Sequence, residues 1–318
     1  MAECIYCSNQ QTEKQFPIVD MFGDTYHFYR CPICGTWFLN PMPSEAQFLK
    51  AYDEAYYGEG DKKFNPVVEK VVDWFRKQNA KKLANLFGGK GTVLDIGCGN
   101  GNLLHYLGLA GAFDLHGIEP DGKSADRTAN FREIILKRGF LEQDTYLENT
   151  FDGITLIHVL EHLPNPREVI EIIASILKPS GHLVIEIPNV RSWQAKIFKS
   201  KWLHFDPPRH LNMFEPNQLI KILSDKGFQL QSESYFSPQY NPFGVQQSFL
   251  NLILNKREVL YEHLKGNKNY TKEYSSFSLF LQQLFHWLTF PIFVFTDLIA
   301  ALFKRGATVK LVFQKSTK

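Results

Sequence analysis

Thr92-Val93-Leu94-Asp95-Ile96-Gly97-Cys98-Gly99-Asn100-Gly101-Asn102-Leu103-Leu104 decides the fold. Its apolar opening reads as a parallel strand buried on both faces, the alternating glycines as a tight turn, and the Asn-Leu-Leu ending as the start of a helix. That is a nucleotide-binding βα unit. A dinucleotide fingerprint, G-x-G-x-x-G, needs glycine at position 102, where Asn102 stands, which argues against NAD. No Lys-Ser/Thr pair closes the loop, which argues against ATP or GTP.

The next strand covers Asp114-Leu115-His116-Gly117-Ile118-Glu119 and ends in an acid. A carboxylate there accepts both hydroxyl protons of a ribose, so Glu119 suits an adenosine cofactor. A third strand at about 133–137 runs to Gly139-Phe140-Leu141, a fourth covers 151–159 and a fifth 182–189. Alternation of strands with helices predicts an open, mainly parallel sheet with ligands at the carboxyl ends. Residues 228–236 and 308–315 alternate like two further strands, and 239–307 is an insertion between them.

The Asp95-Ile96-Gly97-Cys98-Gly99-Asn100-Gly101 loop, followed later by Glu161-His162-Leu163, resembles the class I S-adenosylmethionine-dependent methyltransferases over about residues 90–235. The resemblance implies an α/β fold with a Rossmann-like seven-stranded methyltransferase sheet whose last two strands pair antiparallel. It implies a cofactor set of Asp95, Gly97, Gly99, Gly101, Glu119, Leu141 and His158. Gly97, Gly99 and the loop backbone would follow the methionine part, and Glu119 the ribose. The Phe140-Leu141 turn would border adenine through the Leu141 N–H, with His158 packed beside the cofactor. Asp95 reads equally well as an acid that only caps the turn.

His158-Val159-Leu160-Glu161-His162-Leu163 follows the fourth strand and emerges at the ligand edge. His162 can remove a proton from a methyl acceptor near neutral pH; alternatively, Glu161 and His162 bond each other and hold the loop. Some quinone-pathway O-methyltransferases bind a divalent ion at a related acidic cluster, and by that resemblance His158, Glu161 and His162 are the available ligands. Asp206-Pro207-Pro208-Arg209-His210-Leu211 resembles the Arg-His-Leu segment that the same enzymes place over the substrate mouth. His210 is then the first choice for catalytic base, with Glu161 and His162 completing the catalytic set. Arg209 either orients carboxylates or pairs with Asp206 to fix the turn.

At the N-terminus, Cys4-Ile5-Tyr6-Cys7 and Cys31-Pro32-Ile33-Cys34 are two C-x2-C knuckles. Four thiolates at this spacing suit one tetrahedral structural Zn2+ with no open position for water. Their strand-like approach, Thr25 to Arg30, completes a ribbon. The expected organisation is a zinc-ribbon-like module at 1–40, separable from the cofactor chemistry, then a helical linker at 41–88. The methyltransferase core at 89–238, the helical insertion at 239–307 and a last core strand at 308–318 follow.

The 318 residues carry 35 Lys+Arg against 33 Asp+Glu, so the net charge of +2 gives no general footprint for nucleic acid. The cysteine usage and the opening residues read as cytoplasmic. Within the insertion, the apolar run 277–303 is broken by Gln282, Gln283, His286, Pro291 and Asp297. It is expected to form two amphipathic helices that pack on the core, dimerise, or contact a membrane interface peripherally through 277–305. Together these readings point to methyl transfer onto a small molecule or saccharide, including one carried on a lipid. RNA base methylation and a non-catalytic cofactor-binding scaffold are the alternatives.

Overall fold

A computed structural model describes residues 2–51 and 66–317. The middle of the expected 41–88 linker, residues 52–65, lies outside the described residues. The early strands are β1 (Glu13–Val19), β2 (Thr25–Arg30), β3 (Thr36–Asn40), β4 (Lys90–Ile96), β5 (Ala112–Glu119) and β6 (Ile134–Arg138). The later ones are β7 (Phe151–Ile157), β8 (Leu177–Pro188), β9 (Asn212–Phe214), β10 (Phe228–Ser234) and β11 (Thr308–Lys315). The helices begin with α1 (Glu45–Ala51), α2 (Pro66–Leu86), α3 (Asn102–Ala110), α4 (Lys123–Thr128), α5 (Pro166–Ile176), α6 (Trp193–Phe198) and α7 (Pro216–Ser224). In the insertion stand α8 (Asn241–Ile253), α9 (Val259–Leu264), α10 (Lys268–Thr271) and α11 (Ser276–Leu302).

Seven strands form one sheet in the order β10-β11-β8-β7-β4-β5-β6. β4 pairs in parallel with both β5 and β7, whereas β11 pairs antiparallel with both β8 and β10. Side chains alternate across a strand, so Val93 and Leu94, both fully buried, enter opposite cores. Leu94 packs with Ile154, Ile185 and the α5 residues Ile170 and Ile173. Val93 packs with Leu115, Val184 and the helix residues Leu83 and Leu107. Such two-sided burial explains why β4 reads as a continuous apolar run. It also fixes the carboxyl ends of β4, β5 and β7 side by side, where the glycine loop, Glu119 and His158 emerge.

Two expectations are corrected here. The N-terminal module does not stand apart, because the second sheet has the order β1-β2-β3-β9 and β9 comes from the segment after His210. Trp37 lies opposite Met213, and the Leu39 N–H donates to the Leu211 carbonyl at 2.9 Å. Phe28, Trp202, Phe205 and Met213 share one buried cluster, so apolar burial locks the module to the 202–213 segment. The second correction concerns 277–303, which forms one continuous helix, α11, with Pro291 inside it. The polar residues that looked like interruptions all face the rest of the protein: Gln246 Nε2 donates to His286 O and Thr289 Oγ1, each at 2.8 Å, just ahead of the proline. A proline removes one helical donor but need not end a helix that neighbouring side chains support.

Candidate functional site

The glycine loop closes on β5. Gly97, Gly99 and Gly101 all have positive φ, of 69°, 57° and 73°, a region that L side chains rarely adopt. At Gly97 a Cβ would also lie 2.5 Å from Val159 Cγ2. Gly97 and Cys98 donate their N–H groups to Ile118 O at 2.8 and 3.0 Å, and the Gly99 N–H donates to Glu119 Oε2 at 2.9 Å. Nothing lies within 4 Å of where a Cβ of Gly99 would point, so the loop backbone is open to a ligand on that side. Glu119 is only 6% exposed, and burial raises its pKa despite the Gly99 N–H that favours the anion. These residues fit an adenosine cofactor: an acid at the end of β5, beside an uncovered glycine turn. Leu141 is buried against the core while Phe140 is exposed, and both follow Gly139, whose N–H bonds Glu119 O at 2.9 Å.

Asp95 lies beneath the loop, where Thr155 Oγ1 donates to its Oδ1 at 2.5 Å. Burial, with a smaller push from Glu119, raises its pKa from 3.8 to about 7. A carboxyl raised on folding binds more protons folded than unfolded between those values, so it withdraws stability as pH rises from 3.8 towards 7. Asp95→Asn, which keeps an oxygen for Thr155, should therefore raise Tm clearly more at pH 8 than at pH 5. Equal shifts at the two pH values would refute the assignment.

The fourth strand ends two residues sooner than expected, since His158 takes a left-handed φ of 56°. That conformation costs about 1 kcal/mol or more, and it turns the imidazole between two acids. Nδ1 lies 3.2 Å from Glu161 Oε1, and Nε2 lies 3.7 Å from Glu186 Oε1, while Tyr240 at the head of α8 contacts the ring at 4.4 Å. Burial opposes a charge on His158, but Glu161 and Glu186 outweigh it and raise its pKa to about 9. Burial likewise opposes a charge on Glu161; His158 outweighs it and holds the carboxylate down at about 2. Glu186 is held in turn by Lys310 at 3.0 Å.

Glu161 therefore bonds His158 rather than His162. The His162 Nδ1 lies 3.1 Å from Arg209 O, and the His210 Nδ1 lies 2.7 Å from His204 O. A carbonyl only accepts, so each ring carries a proton on Nδ1. The rings meet edge to face at 4.7 Å. Burial, followed by His210, pushes the His162 pKa down to about 4, so this imidazole stays neutral at pH 7. Glu161 Oε2 is buried without a hydrogen-bond partner. Glu161, His162 and His210 each offer one ligand atom, all within 4.8 Å of one another. The structure thus gathers His210 with Glu161 and His162 where the expected ion-binding set was His158, Glu161 and His162, while His158 Nδ1 bonds Glu161 Oε1.

Arg209 takes the turn-fixing role. It is 2% exposed, donates Nε and Nη2 to the two Asp206 oxygens at 2.7 and 2.8 Å, and approaches Glu258 at 3.4 Å. Asn212 adds Nδ2 bonds to Leu160 O and Leu163 O, and the Leu211 N–H donates to Glu161 O. The 209–212 segment is thus stitched onto the 160–163 turn, which brings His210 to His162 across 48 positions of chain. Sequence reading missed Glu186, Lys310, Thr155, His204 and Glu258, which reach the site through sheet pairing, the segment between β8 and β9, and the insertion.

At the other end of β3, Cys4 and Cys34 Sγ are 3.5 Å apart and Cys7 and Cys31 Sγ 3.6 Å, with all four ligand atoms within 4.8 Å. Thiolates at about 2.3 Å from a tetrahedral Zn2+ stand about 3.8 Å apart, so the cluster fits that ion.

Residues 72–233 match the family described as "Methyltransferase domain". The ubiquinone biosynthesis O-methyltransferase of Photobacterium profundum is 30% identical over 170 residues, covering 49% of this chain and 70% of that protein. The Vibrio cholerae serotype O1 protein of the same name is 30% identical over 176 residues, 51% of this chain and 69% of that one. A solved Galdieria sulphuraria structure assigned as a sarcosine dimethylglycine methyltransferase superposes with a TM-score of 0.53 at 14% identity. It covers 85% of this chain and 98% of that one, and shows the shared fold.

Proposed function

The chain belongs to the methyltransferase domain family and is an S-adenosylmethionine-dependent methyltransferase; from that premise we propose that it methylates a hydroxyl oxygen of a small molecule, with His210 and His162 as the proton acceptors. One observation supports the reading: Glu161, His162 and His210 each bring one ligand atom to within 4.8 Å of the others, and Glu161 Oε2 is buried without a hydrogen-bond partner. S-adenosylmethionine, when bound, supplies a methyl group already activated on a sulfonium. The chain must then align an acceptor and take its proton. With an acceptor aligned, its hydroxyl proton would pass to an imidazole nitrogen of His210 or His162 as the oxygen takes the methyl group. The Nδ1–H bonds to Arg209 O and His204 O keep both rings in the tautomer that this step needs. Glu119, Gly97, Gly99, Gly101 and Leu141 hold the cofactor in this reading, and Asp95 and His158 support the loop and its neighbouring turn.

Four cysteines hold a structural Zn2+ that anchors β3 and, through it, β9. A second reading, favoured by the same three-atom cluster, gives Glu161, His162 and His210 to a divalent ion that polarises the acceptor hydroxyl. Saccharides and lipid-linked hydroxyl compounds belong to the acceptor class proposed. The near-neutral charge does not support RNA as acceptor.

Incubation of zinc-replete protein with methyl-labelled cofactor and a panel of phenolic, catecholic and sugar hydroxyl acceptors tests the proposal. Label on an acceptor oxygen is the expected result. Tight S-adenosylhomocysteine binding without transfer to any acceptor would contradict it and leave a cofactor-binding scaffold.

A further inference from the structure

α11 is built inside out for a helix in water. Phe277, Leu281, Leu284, Leu288, Phe295 and Leu302 recur at helical spacing along its outer side and are 41–83% exposed, with Trp287 beside them at 62%. Its polar residues turn inward: Gln282 and Asp297 are 4% and 3% exposed, Asp297 Oδ2 accepts from Asn241 Nδ2 at 2.9 Å, and His286 Nδ1 bonds Gln246 Oε1 at 2.7 Å. A surface helix of a soluble domain shows the opposite arrangement. The apolar face also extends beyond α11. Phe285 stacks on Phe249 of α8 at 5.7 Å, next to exposed Leu252 and Ile253, and Phe303 meets Trp193 of α6 at 5.6 Å, next to exposed Ile197.

Cations border this face. Residues 189–204 contain Arg191, Lys196, Lys199 and Lys201 and no acid, and Lys304 and Arg305 follow the helix. Glu233 pairs with Lys304 and Glu215 stands 4.0 Å from Arg191, whereas Lys196, Lys199 and Lys201 are exposed and form no ion pair among the described residues. Asp297, the acid of α11 itself, is buried on the opposite side.

We propose that the outer face of α11, continued by α6 and α8, docks in the plane of an anionic lipid bilayer surface, apolar side chains entering the acyl boundary and the bordering lysines meeting headgroups. The chemistry is that of an interfacial helix, with aromatic and aliphatic side chains at the boundary and basic ones beside it. At 27 residues, or about 40 Å, α11 is long and apolar enough to cross a membrane. It is nevertheless tethered at its far end, since Thr308 starts β11 between β8 and β10 a few residues later. Crossing would strip the Asn241 and Gln246 bonds and carry Gln282 and Asp297 into hydrocarbon, which is costly. A second copy is a poorer occupant, because a two-fold self-contact sets the cationic border against itself.

Flotation of the full-length, zinc-replete protein with phosphatidylcholine vesicles, with and without phosphatidylglycerol, tests this directly. The wild type should float with the anionic vesicles and be released by high salt. The triple variant Lys196→Glu/Lys199→Glu/Lys201→Glu should bind them at least about tenfold more weakly. Trp287→Glu/Phe295→Glu, or Leu302→Glu should that pair fail to fold, should stay at the bottom while retaining the wild-type Tm and S-adenosylhomocysteine affinity. Wild-type protein that floats with neither vesicle type overturns the proposal. So does a light-scattering dimer that the Trp287 variant dissociates, which gives the face to a second copy. Resistance of the bound protein to an alkaline carbonate wash overturns in-plane docking in favour of a spanning helix.

Discussion

Replacing His210 by alanine is expected to lower kcat by about a hundredfold to ten-thousandfold, the range for loss of a general base, with S-adenosylhomocysteine affinity nearly unchanged. The imidazole is fixed through Nδ1 to His204 O at 2.7 Å and offers one ligand atom to the cluster with His162 and Glu161. Cofactor affinity should survive because the glycine loop and Glu119 rest on β4 and β5, away from the 209–212 segment. His162 and the unpartnered Glu161 Oε2 remain as weaker proton acceptors and bound the loss. His210→Gln, which can still donate to His204 O, should preserve folding and remain as slow as the alanine variant. Wild-type kcat in either variant would remove His210 from the reaction and leave His162 as the base.

Loss of the zinc proposed for the four cysteines is expected to lower turnover as well, although the cysteines lie outside the cofactor loop. Cys31 is fully buried, and Cys31→Ser leaves a tetrahedral ion one thiolate short. Structural zinc supplies about 10–16 kcal/mol of apparent binding free energy to small folded modules, far more than the β1-β2-β3 ribbon can replace. Since Leu39 bonds Leu211 and β3 pairs with β9, disorder in the ribbon passes to the segment that carries His210. The expected outcome is zinc content falling from one equivalent to near zero and kcat falling at least about tenfold, with cofactor affinity retained. Zinc-free protein with wild-type turnover would contradict the coupling, and wild-type protein purified without zinc would contradict the site.

What could be read from sequence follows from how local each feature is. The β4 run, the glycine turn and Glu119 lie within 28 consecutive residues and depend on strand alternation and backbone conformation, so their spacing discloses them. The two cysteine knuckles are legible for the same reason. His158 is different: its partner Glu186 sits on β8 and is held by Lys310 of β11, and only sheet order brings these groups together. Arg209 shows the same limit, because Asp206 was within sight three residues away while Glu258 came from the insertion. The α11 expectation failed for another reason. Gln282, Gln283, His286 and Asp297 read as breaks in an apolar run, yet they mark the inward side of α11, where His263, Gln246 and Asn241 bond Gln283, His286 and Asp297. Nor could pairing between β3 and β9 be anticipated from a three-residue strand whose partner lies far back in the chain.

Calorimetric titration of zinc-replete protein with S-adenosylmethionine and S-adenosylhomocysteine, wild type beside Glu119→Ala, tests the central claim most directly. Glu119 ties down the Gly99 N–H and stands where the ribose hydroxyls would donate, so its loss removes charge-assisted bonds on both sides. The account predicts saturable one-site binding by the wild type and at least about a hundredfold weaker binding by a variant that remains folded. Equal affinity in the two proteins, or no binding of either ligand by folded wild type, would contradict it.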